Sequence, residues 1–225
     1  SIFNRSSSAI VSVELFDLLL RSQAYVYETE GVFDPTILPA LEQEGYQASF
    51  GSDRFGVPAK TPSQTRSVFS DIVLNPYTRQ VSKPKECRVD LGGIGKGYIV
   101  DRVAQVLRKT YTHFIVDAGG DMYIAGSDPL AGYPYSAIDI EDARYGKGNV
   151  GLLLLSNRGV ATSGVNRRKW QQGQEEKSHL IDTRRQQSVA SDALAVTVVA
   201  GSTERADVMA KTLCLLGWEQ GKKFA

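Results

Sequence analysis

The chain has 225 residues, 42% of them hydrophobic, with 26 Lys+Arg against 25 Asp+Glu and a formal net charge of +1. That length fits one large domain or two intimate lobes and excludes a coiled coil, a repeat array or a disordered tail. With no basic run longer than Arg167-Arg168-Lys169 it lacks the footprint of a duplex-binding protein, and its longest apolar run, Val150 to Leu155 broken by Gly151, falls far short of the ~20 residues that span a bilayer. Neither nucleic acid nor a membrane span is expected. Cys87 and Cys214 make neither a zinc pattern nor a disulfide framework, and Cys214, in an apolar helical stretch, is expected in the core. No leader is visible, but the chain opens on Ser1-Ile2-Phe3-Asn4 without Met, so cytoplasmic residence does not follow.

In chain order, residues 12–30 read as a helix: Val13, Phe16, Leu19 and Leu20 recur at helical spacing behind Ser12, which can cap the first turn, and Gly31 stops it. In the turn that follows, Pro35 holds Asp34 extended, and 37–44 form a short second helix. Residues 47–66, with Gly51, Gly56, Pro58 and Pro62, read as an exposed excursion. Short strands at 72–74 and 87–90 lead to a glycine-rich turn over 91–97 and a helix to about Lys109, with Ile99, Val103, Val106 and Leu107 as its apolar face. Strands at 113–117, 121–125, 136–140 and 149–155 read as an antiparallel meander. The last third reads as a turn over 160–164, a hydrophilic patch over 166–177, strands at 179–181 and 194–200, and a helix over 203–216 capped by Ser202 and ended by Gly217. The pattern predicts an α+β fold, a largely antiparallel sheet with flanking helices. One unit is expected, a helical lobe (5–66) against a sheet-rich lobe (67–225) with a cofactor crevice between them.

Four segments carry possible chemistry. Asp90-Leu-Gly-Gly-Ile-Gly-Lys-Gly97 runs into a helix, where bared N–H groups and Lys96 would suit a phosphate; it is neither a P-loop nor a dinucleotide fingerprint, and close helix packing explains its glycines equally well. In Asp117-Ala-Gly-Gly-Asp121 the glycines fit a plain hairpin turn better than a ligand site. His179, one of two histidines, stands between Ser178 and Asp182 behind an Ala161-Thr162-Ser163-Gly164 segment; a side chain titrating near neutrality there suits proton transfer, whereas a lone histidine is ordinarily structural. Asp207 and Lys211, four apart on the last helix, share a face, by default as a surface ion pair and alternatively pointing together into a site.

These segments, in this order, resemble the ApbE family of bacterial FAD:protein FMN transferases. The resemblance rests on Ser1 to Asn4, Gly31 to Thr36, Asp90 to Gly97 followed by Asp101, Asp117 to Asp121, Ala161 to Gly164, His179 to Asp182, and Asp207 to Lys211. It implies an ApbE-like (T-fold-like) domain over 1–225 that transfers the FMN half of FAD to a threonine hydroxyl of an acceptor protein, releasing AMP. It further implies that Val32, Phe33 and Asp34 line the flavin or adenosine site, and that Asp90, Lys96, Asp121, Thr162, Ser163 and Ile181 contribute to FAD binding. The Gly93 carbonyl and Asp207 would hold Mg²⁺, and His179 would take the threonine proton. Three departures stand out. Lys211 replaces a family threonine, so its ammonium is a candidate substitute counter-charge. Thr183 and Arg185-Gln186 replace Pro and Thr-Gly. The family usually carries further strands ahead of the segment that Ser1 begins. The first and third departures keep open an FAD-binding protein without turnover, and water in place of the threonine would give an FAD pyrophosphatase releasing FMN and AMP. The resemblance implies the cell envelope for a chain with a lipoprotein signal upstream, and the cytoplasm otherwise.

Overall fold

Ser1–Leu91 and Arg167–Ala190 fold together as one unit, and Gly92–Asn166 with Ser191–Ala225 form a second. The computed structural model describes residues 2–46, 66–127, 132–165, 169–172, 175–189 and 191–225, so the expected excursion at 47–66 lies outside the described residues except for Arg66. In chain order the elements are α1 (Ile2–Arg5), β1 (Ser8–Ile10), α2 (Val13–Glu28), α3 (Leu38–Gln43), β2 (Val73–Asn75) and β3 (Gln80–Ser82). Next are α4 (Gly95–Leu107), β4 (Phe114–Asp117), β5 (Met122–Ala125), β6 (Ser136–Glu141), β7 (Asn149–Leu155) and β8 (Arg158–Gly164). Last come β9 (Lys169–Gln172), β10 (Glu175–Ser178), β11 (Ile181–Asp182), β12 (Gln187–Ser188), β13 (Ala195–Ala200) and α5 (Thr203–Phe224). The strand pairs described are all antiparallel, and the fold is the expected α+β class.

In the first unit the Ser12 hydroxyl caps α2 by accepting from the Leu15 N–H at 3.2 Å, and Glu30 and Gly31 end the helix with left-handed backbones. The buried stripe of α2 is Phe16, Leu18, Leu19 and Ser22; Val13 and Leu20 face solvent. Phe16 and Leu19 join Phe3, Phe69, Ile72, Val81, Cys87 and Val89 in a core beneath the sheet β1-β3-β2. The strand expected at 87–90 is not one. The Asn4 amide donates to the Val89 carbonyl and accepts from the Val89 N–H, both at 2.9 Å, so a side chain stands where a neighbouring strand would. Within the hydrophilic patch β9 and β10 pair antiparallel, anchored by the buried Trp170, whose indole donates to the Glu44 carbonyl at 2.6 Å. The strand expected at 179–181 shrinks to β11, paired with β12, and leaves His179 outside it.

The second unit is built on the sheet β13-β8-β5-β4. β8 replaces the turn expected at 160–164: Val160 and Ala161 are buried, and Thr162 and Thr197 hydrogen-bond across strands at 2.9 Å. Tyr123 and Ala125 on one sheet face pack with Val100 and Ala104 of α4, while Ile124 on the other packs with Leu155 and Ile138 of the β6–β7 hairpin. The buried face of α4 is therefore Gly97, Tyr98, Val100 and Ala104, and the expected apolar face is turned out, with Ile99 61% and Val106 63% exposed. α5 starts behind a capping Ser202, as expected, breaks at Gly217 and continues to Phe224.

Candidate functional site

The second unit brings four of the singled-out residues to the junction of α4 and α5. At Gly97 a Cβ would lie 2.6 Å from both the Glu204 Cα and the Thr203 carbonyl oxygen, so glycine is what lets the two helices approach this closely. Each helix then supplies a carboxylate to the start of the other. Asp101 on α4 accepts from the N–H groups of Thr203 and Glu204 at 2.8 and 2.9 Å, capping α5. Asp207 on α5, 3% exposed, accepts from the Gly97 N–H at 3.4 Å, and does for α4 what its own cap residue, Ile94, cannot. One turn further along α5, the Lys211 side chain lies over Gly93, with its Cδ and Cε 2.9 Å from where a Gly93 Cβ would stand. Positions 93, 97 and 101 thus face 211, 207 and 203–204, so Asp207 and Lys211 point together at the glycine turn. Lys96 forms an ion pair with Asp121, whose side chain is 3% exposed.

That donor set does not fit the expected divalent cation. Mg²⁺ prefers about six oxygens in a near-octahedral shell. Here the carboxylate meant for it is buried against a backbone N–H, and beside the expected carbonyl ligand, Gly93, lies an ammonium that offers donors and no lone pair. Among the described residues no group of three or more His, Cys, Asp or Glu could hold a metal ion.

The other singled-out residues are placed as follows. Asp34 is buried, with Oδ1 accepting from the N–H and hydroxyl of Thr36 at 2.9 and 2.8 Å and Oδ2 from the Phe69 N–H at 3.1 Å. Burial pushes its carboxyl above the ordinary value, and those hydrogen bonds only partly oppose the shift. Phe33 is buried edge-on to Tyr25, Val32 is half-buried, and Ile181 packs with Ile37, Ala40 and Leu41. Asp90 is half-buried, and its N–H donates to the Pro35 carbonyl. His179 is half-buried, and the Asp182 carboxylate accepts from the N–H groups of Arg184 and Arg185 in the turn between β11 and β12. Thr183, one of the departures from the resemblance, donates its hydroxyl to the Gly31 carbonyl at 2.7 Å. Thr162 and Ser163 lie on β8, in the second unit. Asp117 closes the Gly119-Gly120 turn by accepting from the Gly120 N–H at 2.7 Å, so that motif divides into a turn residue and the buried partner of Lys96. Asp101 ends the glycine motif, and its spacing of four from Gly97, one face of α4, is the signal that points to its part in the junction.

The family model that the chain matches, over residues 1–225, is that of the ApbE family. Curated relatives include the FAD:protein FMN transferase of Haemophilus influenzae, 26% identical over 207 residues that make up 88% of this chain and 58% of that protein. The FAD:protein FMN transferase of Treponema pallidum is 28% identical over 234 residues, 96% of this chain and 63% of its own. The chain therefore spans less than two thirds of the length of these relatives. Among solved structures, the ApbE protein of Thermotoga maritima matches with a TM-score of 0.85 at 25% identity, covering 96% of this chain and 70% of that one. The apo form of the Pseudomonas stutzeri flavinyl transferase ApbE, at 24% identity and a TM-score of 0.82, shares the fold and covers 100% of this chain and 70% of its own.

Proposed function

Because the chain belongs to the ApbE family, whose model matches residues 1–225, we propose that it transfers the FMN moiety of FAD to a threonine hydroxyl of an acceptor protein. The hydroxyl oxygen attacks the phosphorus on the FMN side of the pyrophosphate. A P–O bond forms there, the bond from that phosphorus to the bridging oxygen breaks, and AMP leaves with that oxygen. The hydroxyl proton passes to the His179 imidazole, the side chain that most often serves as a general base. Such a reaction needs positioning and neutralised phosphate charge more than covalent help from the protein. The junction of α4 and α5 supports that part, with two ammonium groups, Lys96 and Lys211, about one glycine-rich turn. The observation that carries the reading is the run of matching segments from Ser1 to Lys211 together with the chain-wide family match.

One observation favours a second reading, FAD retention without turnover: a lysine stands where the family's hydroxyl would help to hold a metal. Incubation with FAD and a threonine-containing acceptor peptide, in Mg²⁺ and in EDTA, separates the readings by mass. AMP with a peptide heavier by one FMN is the expected outcome. AMP with free FMN identifies a pyrophosphatase, and bound but unchanged FAD identifies the binder.

A further inference from the structure

We propose that the Lys211 ammonium is the resident cation of the α4–α5 junction and that the chain takes up the FAD pyrophosphate without a divalent metal; this rests on the FAD-binding reading above. Three observations converge on it. The Lys211 stem is seated on Gly93, at the glycine where the resemblance puts a metal-binding carbonyl, and that seat exists because Gly93 has no Cβ. Asp207, the carboxylate that would anchor a metal, is 3% exposed and turned to the Gly97 N–H. Lys96, the other ammonium of the motif, is held by the buried Asp121, which leaves Lys211 as the cation of this face that no carboxylate among the described residues holds.

A protonated ammonium has no lone pair to offer a metal and repels one electrostatically, but it donates three hydrogen bonds and pairs with phosphate oxygens as a point charge. Lys211 is half-buried, with its Cδ, Cε and ammonium all lying against Gly93. Asp207, which shares its face, has one carboxylate oxygen turned to the Gly97 N–H. A lysine here does for the pyrophosphate what a metal and a hydroxyl would do together, without the dependence on metal concentration.

The test is FAD affinity, followed by flavin fluorescence, in EDTA and in millimolar Mg²⁺, for the wild-type protein, Lys211→Met and Lys211→Thr, each checked for folding by circular dichroism. The wild-type protein is expected to bind FAD with the same affinity in both buffers, within about twofold. Lys211→Met keeps the stem on Gly93 and removes the charge; it should lose about tenfold or more in EDTA, the size of one charge-assisted hydrogen bond. Lys211→Thr should show the same loss in EDTA and recover it in Mg²⁺. FAD binding by the wild-type protein that strengthens tenfold with Mg²⁺, or a Lys211→Met variant that binds like wild type in EDTA, overturns the proposal and leaves the FAD reading standing. No FAD binding by the wild-type protein in either buffer overturns both.

Discussion

Burying a carboxylate raises its pKa unless hydrogen bonds to the charged form offset the loss of water, and at Asp34 burial wins although three donors converge on it. A folded-state pKa above the unfolded one means the fold binds the proton more tightly. The contribution of Asp34 to stability is therefore complete below the ordinary value of 3.8 and declines as pH rises through the raised value. Asp34→Asn keeps one acceptor but turns an amide N–H₂ toward the Phe69 or the Thr36 N–H. It should cost about 1–3 kcal/mol in urea denaturation at neutral pH, and an unchanged midpoint would count against this account. Glycine behaves differently at neighbouring positions. Gly97→Ala would gain about 1 kcal/mol of helix propensity but forces the backbone of Glu204 away, so a net loss of about 1–3 kcal/mol is expected by thermal denaturation. Gly93→Ala meets only the far end of a flexible lysine and should leave stability within about 0.5 kcal/mol while moving the Lys211 head and weakening FAD binding. The sequence flagged Asp34, Gly93, Gly97 and Lys211, but it could not show that one Asp34 oxygen is already taken by the Phe69 N–H, because that depends on a chain segment more than thirty residues away.

Among the elements, those with a local signal were legible. Ser12 and Ser202 announced two helices, and the Gly119-Gly120 turn announced a hairpin, because caps and tight turns are satisfied within a few residues. β8 was not legible: Ala161-Thr162-Ser163-Gly164 has the composition of a turn, and only the strands on either side, β5 and β13, make it the inside of a sheet. The face of α4 was misread for a related reason. The large residues Ile99, Val103 and Val106 lie outside, while Gly97 is buried where α5 approaches closely and Ala104 is buried against Tyr123 and Ala125 of the sheet. The reciprocal caps at this crossing give the most direct element-scale prediction. Asp101→Ala leaves the N–H groups of Thr203 and Glu204 without their acceptor and should cost about 1–2 kcal/mol. In a double-mutant cycle with Asp207→Ala, coupling of about 0.5 kcal/mol or more is expected, and strict additivity would mean that the two caps act independently.

At the scale of the whole chain, the α+β class and its antiparallel sheets followed from short strand-like runs between turn signals, whereas the division at Leu91 and Asn166 did not, because no linker composition marks it. FAD at about a hundred times its Kd should stabilise the protein by about 2.7 kcal/mol, roughly a 5–10 °C rise in Tm for a chain of this length. His179→Ala should keep that rise and reduce the FMN transfer rate by about 10²–10⁴-fold; full transfer by this variant would remove His179 from the reaction. The junction of α4 and α5 also has a meaning in time. Its hydrogen bonds join residues 102, 103 and 110 positions apart, so the glycine turn leaves the ribosome long before its counterpart exists. At about 5–20 residues per second the delay is roughly five to twenty seconds, during which a nascent chain has the turn but neither Asp207 nor Lys211 beside it. On the proposed function, flavin capture would belong only to chains synthesised through α5, where both sides of the junction exist.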